Sequence, residues 1–217
     1  MRAMILAAGS GTRLRPLTHL RPKPAVPVRG LPLIAYGLEL LSRCGVREVM
    51  LNVHHLSDRL MATAQQRCPA GMRVHFSPER TLLGTGGGIR RAAGFLRESD
   101  PCLILGGDMI LDADLPALVR THRERGDAVT MLLIQDERME RFGSVGVDAA
   151  GCVRRIARRF DLGGETRAGL YAWANVVSAR ALDALPDRDV SNHFDDWLAP
   201  RLAAGARDIR GVFPTGR

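Results

Sequence analysis

Short apolar runs alternate with stretches of helical periodicity along the first 135 residues of the chain. The run at 4–8 has strand length, and 31–44 carries apolar residues at helical spacing and stops at Gly45. The same alternation predicts a strand at 46–53, a helix at 56–67 capped near Ser57 and Asp58, and a short strand at 72–76. A glycine cluster, Gly84-Thr85-Gly86-Gly87-Gly88, reads as a loop leading into a helix at 89–96. A strand at 101–105, a helix at 115–125 and a strand at 128–134 complete the series. That β-α-β-α-β-α-β-α-β order predicts an α/β fold with a doubly wound, mainly parallel sheet. Ligands of such sheets lie beyond the carboxyl ends of the strands. From Ser144 the pattern changes to short strands at 145–147, 153–156 and 169–177, with a polar turn at Ala150-Gly151 and helices at 179–185 and 194–204. This last part reads as a β-rich segment laid beside the sheet. No segment recurs at a fixed period and no low-complexity linker divides the chain, so one domain of two lobes is expected, about 1–135 and about 136–217.

Composition narrows the class. With 217 residues, 46% of them hydrophobic, the chain can bury a core without staples. Cys44, Cys68, Cys102 and Cys152 are scattered without a C-x-x-C pair, which suits reduced thiols of a cytosolic protein. Residues 1–3 lead straight into a strand and no apolar run has the length of a membrane span, so a soluble, cytoplasmic protein is expected. The formal charge of +8 suits nucleic acid or small polyanions such as nucleoside triphosphates. Aromatics make up only 5% and the arginines are spread along the chain, partly as the pairs Arg90-Arg91, Arg154-Arg155 and Arg158-Arg159. That distribution argues against a nucleic-acid stripe.

The densest chemistry follows the first strand. In Gly9-Ser10-Gly11-Thr12-Arg13-Leu14-Arg15-Pro16 two glycines let backbone N–H groups turn toward an anion. Further on stands Lys23, the one lysine among 31 basic residues. A residue type used once points to its own chemistry: an ammonium is a compact point charge that an arginine fork cannot replace. The bland alternative is a chance surface lysine. A dinucleotide fingerprint would need a third glycine where Leu14 stands, and a Walker A loop would need Gly-Lys-Ser/Thr.

Gly9-x-Gly11-Thr12-Arg13-Leu14-x-Pro16-Leu17-Thr18 followed by Pro22-Lys23-Pro24 resembles the N-terminal motif of sugar-1-phosphate nucleotidylyltransferases. The resemblance covers nearly the whole chain and is densest at 4–28 and 79–108. It implies a Rossmann-like sheet whose C-terminal third is a sugar-binding segment. It also implies transfer of a nucleoside monophosphate from an NTP to a sugar 1-phosphate, with pyrophosphate released and Mg²⁺ required. Arg13 and Lys23 would donate to the reacting phosphates, and Leu6, Ala7, Ala8, Gly9, Gly11 and Thr12 would line the nucleotide. Asp108, after Gly106-Gly107 at a strand end, is the metal candidate; an aspartate there is also an ordinary turn residue.

Leu83-Gly84-Thr85-Gly86-Gly87-Gly88-Ile89 is similar to the family segment that lies against base and ribose, although a glycine cluster can be a simple flexible turn. Glu79 matches the position from which relatives read the base edge. A carboxylate accepts well from the N1–H and N2–H₂ of guanine, which leans to GTP. Ser77-Pro78-Glu79 with 85–89 instead resembles N-acetylmuramate-1-phosphate uridylyltransferases, cell-wall enzymes, more than mannose-1-phosphate guanylyltransferases. The expectation leans to UTP with N-acetylmuramate 1-phosphate, with GTP and mannose 1-phosphate as the alternative.

Phe142-Gly143 and Gly169-Leu170-Tyr171 correspond to segments along the sugar, while the Glu-Lys-Pro step of many relatives is replaced near Arg158-Arg159-Phe160. The pair His54-His55 reads as polar loop surface in preference to a metal site. Relatives supply a second metal carboxylate from a Trp-x-Asp-x-Gly-Thr segment, where this sequence reads 212–217; Asp195-Asp196 look like helix caps. The expectation is therefore a domain incomplete at its C-terminus with weakened metal affinity. A non-catalytic nucleotide-sugar sensor of the same fold is the reading from another class.

Overall fold

The computed structural model describes residues 1–139 and 143–214. Its centre is a sheet in which β1 (Arg2–Leu6), β4 (Glu48–Val53), β5 (Arg73–Pro78) and β6 (Cys102–Gly106) run parallel in the order β6-β1-β4-β5. β2 (Pro27–Val28) and β3 (Leu31–Pro32) form a separate small hairpin, so the first long helix, α2 (Leu33–Arg43), starts two residues later than the periodicity suggests. Short α1 (Leu17–Leu20) precedes it. Next come α3 (Ser57–Gln66), α4 (Gly84–Leu96) and α5 (Leu115–Arg125). Ile34, Leu38 and Leu41 of α2, Leu60 and Ala64 of α3 and Leu115, Leu118 and Val119 of α5 share one core with Ala3 and Ile5. Ile89, Ala92 and Leu96 of α4 pack with Met4 on the other face. Alternate β1 residues thus enter opposite layers, as the two-residue period of a strand requires.

Two expectations about the sheet need correction. The fifth strand, β7 (Val129–Ile134), does not join the parallel set; it lies antiparallel to the long strand β11 (Arg167–Val177). β11 pairs with β6 through Ala174–Val177 and with β8 (Ser144–Val147) through Arg167–Leu170. β9 (Val153–Ile156), β10 (Phe160–Asp161) and β12 (Ile209–Val212) complete it, β12 pairing with β7. The C-terminal third therefore continues the main sheet instead of lying beside it. Pairings over such sequence distances leave no local periodic trace.

The helix ends also differ. α3 is entered through Leu56 in the left-handed region, φ 50°, with no side-chain cap from Ser57 or Asp58. After α6 (Ala179–Asp183) a π-helical turn, His193–Leu198, precedes α7 (Ala199–Ala203). Its cap is Asn192, whose Oδ1 accepts from Phe194 N–H at 2.8 Å; Asp196 reaches back to accept from Asn192 N–H at 2.7 Å, as expected of a capping residue, while Asp195 pairs with Arg159. Among the described residues no helix is long and apolar enough to cross a membrane.

Candidate active site

Beyond the carboxyl end of β1 the chain enters the glycine loop, and three contacts fix it. Leu6 C=O accepts from Gly107 N–H at 2.9 Å, tying the loop to the turn that carries Asp108. A Cβ on Gly107 would stand 2.8 Å from that same oxygen, so glycine is required for the approach. Ala7 N–H donates to Asn52 Oδ1 at 2.7 Å, and Ala7 and Ala8 are buried. Gly11 adopts φ 62° with Thr18 Cγ2 2.8 Å from where its Cβ would be, which again admits only glycine. The turn uses the carbonyls of Gly11 and Thr12 for Leu14 and Arg15 N–H groups. Among the described residues the N–H groups of Gly11 and Thr12 make no backbone hydrogen bond, so both can face an anion. Gly9, Thr12 and Arg13 are exposed.

Lys23 opens a 3₁₀ turn, Lys23–Ala25, between buried Pro22 and Pro24, which set its backbone. Its ammonium is paired with the Asp108 carboxylate. The loop, the lysine and the strand-end aspartate therefore meet in space. Asp108 stays partly open to solvent, with 39% of its side-chain surface exposed. Hard cations such as Mg²⁺ take one or two carboxylates with phosphate oxygens and water, and this donor fits that pattern.

The glycine cluster is not a loop. It forms the first turns of α4, and each glycine answers a neighbour in the protein. A Cβ on Gly84 or Gly87 would overlap the carbonyl oxygens of Ser191 and Asp189, and one on Gly86 would lie 2.6 Å from Ser191 Oγ. Gly86 N–H donates to Ser191 C=O at 2.9 Å and Gly87 N–H to the same oxygen at 3.3 Å, so two orphan donors of the helix start are already satisfied. Thr85 faces the same segment. Its Oγ1 accepts from His193 N–H at 3.1 Å and, with its own proton, donates to His193 Nδ1 at 2.7 Å. Burial holds His193 neutral, its pKa pushed down to about 3, with a lesser push from Arg159. The Thr85 hydroxyl and the Gly86 N–H, expected on the nucleotide, are thus found on the 189–193 segment.

Glu79 is buried at 5% exposure, its carboxylate hydrogen-bonded to Asn52 and Leu83. His54 and His55, expected as loop surface, each pin a backbone: His54 Nδ1–H donates to Glu79 C=O at 2.8 Å and His55 Nε2–H to Thr18 C=O at 2.6 Å. Asn52, His54 and His55 make the end of β4 a hub between the glycine loop with the helix after it and the 79–84 segment. Asn52 was missed, although a lone amide inside the apolar run Val49–Val53 was a visible signal, since a buried amide must find partners.

Phe142 lies outside the described residues, as do Thr215, Gly216 and Arg217. Gly143 takes φ 85° and donates its N–H to Met139 C=O at 2.8 Å. Gly169 is buried where a Cβ would stand 2.5 Å from Phe213 Cε1, so its lack of a side chain admits that ring. Arg159, in the region that replaces the Glu-Lys-Pro step, is held by Asp195 at 2.7 Å.

A profile of the nucleotidyl transferases matches residues 2–213. The chain belongs to this nucleotidyl transferase family. It is similar to the UTP–glucose-1-phosphate uridylyltransferase of Synechocystis sp., with 31% identity over 86% of this chain and 51% of the relative. It is also similar to the mannose-1-phosphate guanylyltransferase catalytic subunit beta of Xenopus tropicalis, with 34% identity over 83% of this chain and 51% of the relative. The chain thus spans about half the length of these curated relatives. Among solved structures, HddC from Yersinia pseudotuberculosis complexed with GMP-PN superposes with a TM-score of 0.79 at 22% identity, covering 98% of this chain and 89% of that one. The UDP-glucose pyrophosphorylase from Acinetobacter baumannii gives 0.78 at 17% identity, covering 100% and 86%. These two likenesses establish the nucleotidyl transferase fold.

Proposed function

We propose that this nucleotidyl transferase condenses a nucleoside triphosphate with a sugar 1-phosphate, giving a nucleoside-diphosphate sugar and pyrophosphate. The observation that carries the reading is the meeting of the Gly9–Arg13 loop, Lys23 and Asp108 at the carboxyl ends of β1 and β6. In this reading the N–H groups of Gly11 and Thr12 and the guanidinium of Arg13 cradle the triphosphate. A phosphate oxygen of the sugar 1-phosphate attacks the α-phosphorus in line, a new P–O bond forms, and the bond to pyrophosphate breaks. Lys23 sits between the two anions and lowers their repulsion as charge grows on the equatorial oxygens. Asp108 would hold Mg²⁺, which when bound supplies further neutralisation of phosphate charge. The lobe of about 1–135 takes the nucleotide and that of about 136–217 the sugar.

The named relatives divide between uridylyl transfer to glucose 1-phosphate and guanylyl transfer to mannose 1-phosphate. The proposal therefore stands at the level of the substrate classes. The lean to UTP with N-acetylmuramate 1-phosphate has no counterpart among those relatives. Pyrophosphate release measured for each NTP against a panel of sugar 1-phosphates tests the reading. Silence in every combination, with nucleotide sugars still bound, supports the sensor instead.

A further inference from the structure

Glu79 stands where a base-reading side chain is expected, yet both its oxygens are engaged within the protein. Oε2 accepts from Leu83 N–H at 3.0 Å and Oε1 from Asn52 Nδ2 at 2.8 Å. Asn52 Oδ1 in turn accepts from Ala7 N–H at 2.7 Å; because that donor requires an oxygen, the orientation of the amide is settled. Asn52 is 3% exposed and Glu79 5%, so little of either edge is left for a base. Gly88 makes the room, since a Cβ there would stand 2.9 Å from Asn52 Nδ2 and 3.1 Å from Glu79 Oε1. The result is a buried brace from the first residue of the phosphate loop, through two side chains, to the start of α4.

We infer that Glu79 and Asn52 are positioning residues, which set the spacing between the triphosphate loop and the 79–84 segment, and that Glu79 does not read the base. The inference rests on the proposed function, because it assigns those two segments to one nucleotide. Both sites would act on every NTP alike.

Hydrogen-bond arithmetic supplies the test. Glu79→Gln can satisfy Asn52 or Leu83 but not both, because its NH₂ meets a donor on one side. Asn52→Asp sets two carboxylates against each other. The double variant Asn52→Asp/Glu79→Gln restores every bond with one donor reversed: Asp accepts from Ala7 and from the Gln NH₂, and the Gln oxygen accepts from Leu83. Calorimetric Kd values for GTP and UTP are measured for the parent chain and the three variants, with KM for both substrates where turnover is seen. Each single change should weaken both nucleotides about tenfold, the size of one buried donor left unpaired. The GTP-to-UTP ratio should stay within about twofold and the KM for sugar 1-phosphate should not move. The double variant should return to within about threefold of the parent. A tenfold shift in the ratio in Glu79→Gln that persists in the double variant would overturn the inference and make Glu79 a base reader. Single variants that bind like the parent would overturn it as well. If the parent binds nucleotides but transfers nothing, the transferase reading falls and the affinities alone decide the brace.

Discussion

The ammonium of Lys23 and the carboxylate of Asp108 form an ion pair although 85 positions separate them in the chain. Lys23 stands on the turn after the glycine loop and Asp108 two residues beyond β6, and the parallel pairing of β1 with β6 brings them together. If that ammonium stabilises transferring phosphates, Lys23→Ala should raise the barrier to transfer by about 2–4 kcal/mol. Lys23→Arg should recover little, because a planar fork cannot take the place of a compact point charge paired with Asp108. Steady-state kinetics of the arginine variant at parental rates would remove the argument from the lone lysine.

Asp108 is tested separately. Its side chain is partly exposed and packs little, so Asp108→Asn should keep the parental melting temperature while losing Mg²⁺-dependent transfer. A Mg²⁺ titration reads the outcome. Unchanged turnover at saturating metal would take Asp108 out of the site.

The glycines of α4 separate into two kinds, and alanine should tell them apart. A Cβ at Gly87 would overlap the Asp189 carbonyl, whereas one at Gly94 meets nothing within 4 Å. Gly87→Ala should therefore destabilise the fold by about 1–3 kcal/mol, through overpacking against backbone. Gly94→Ala, on the exposed face of the same helix, should stabilise it by about 0.5–1 kcal/mol through helix propensity. Urea denaturation of the two variants checks both signs, and a stable Gly87→Ala would mean that the 189–191 segment does not sit on α4.

How much of this was legible in the sequence depends on how local each cause is. The long strands and most of the long helices up to Ile134 were readable because amphipathic spacing and a glycine stop are local, whereas short α1 and the β2–β3 hairpin were not. α5 was placed to the residue by its periodicity, with Asp114 as its side-chain cap. The insertion of β11 between β6 and β7 was not readable, since strand order is set by pairing across the sheet. The glycines of α4 misled for a related reason. Their helix is made tolerable by Ser191, more than a hundred positions away, whose carbonyl caps it and whose backbone fills the space where Cβ atoms would be. In the site, Lys23 and Asp108 stood out as rare or oddly placed residue types. Glu79 was found by position, but its contact with Asn52 was not, because the two meet only when β4 and the segment after β5 are brought together.

His193 is the last point at which stability can be made to answer. It is buried, its Nδ1 accepts the Thr85 hydroxyl, and Nε2 has no hydrogen-bond partner among the described residues. Its folded pKa lies at about 3, below the ordinary value of 6.5, because burial penalises the charged ring. Between these values the unfolded chain binds a proton that the folded one does not, so stability is full above about 6.5 and falls as pH drops toward about 3. His193→Asn keeps an acceptor near the Nδ1 position for Thr85 and removes the titration. Urea denaturation at a series of pH values between about 7 and 4 should show the variant losing stability less steeply on acidification, by up to one proton in the slope. At neutral pH the variant should be the less stable of the two, having lost ring packing against Tyr171, Trp173 and Phe194. Parallel pH profiles for parent and variant would show that His193 is protonated as readily in the fold as out of it, and the pin between α4 and the 191–193 segment would need another chemistry.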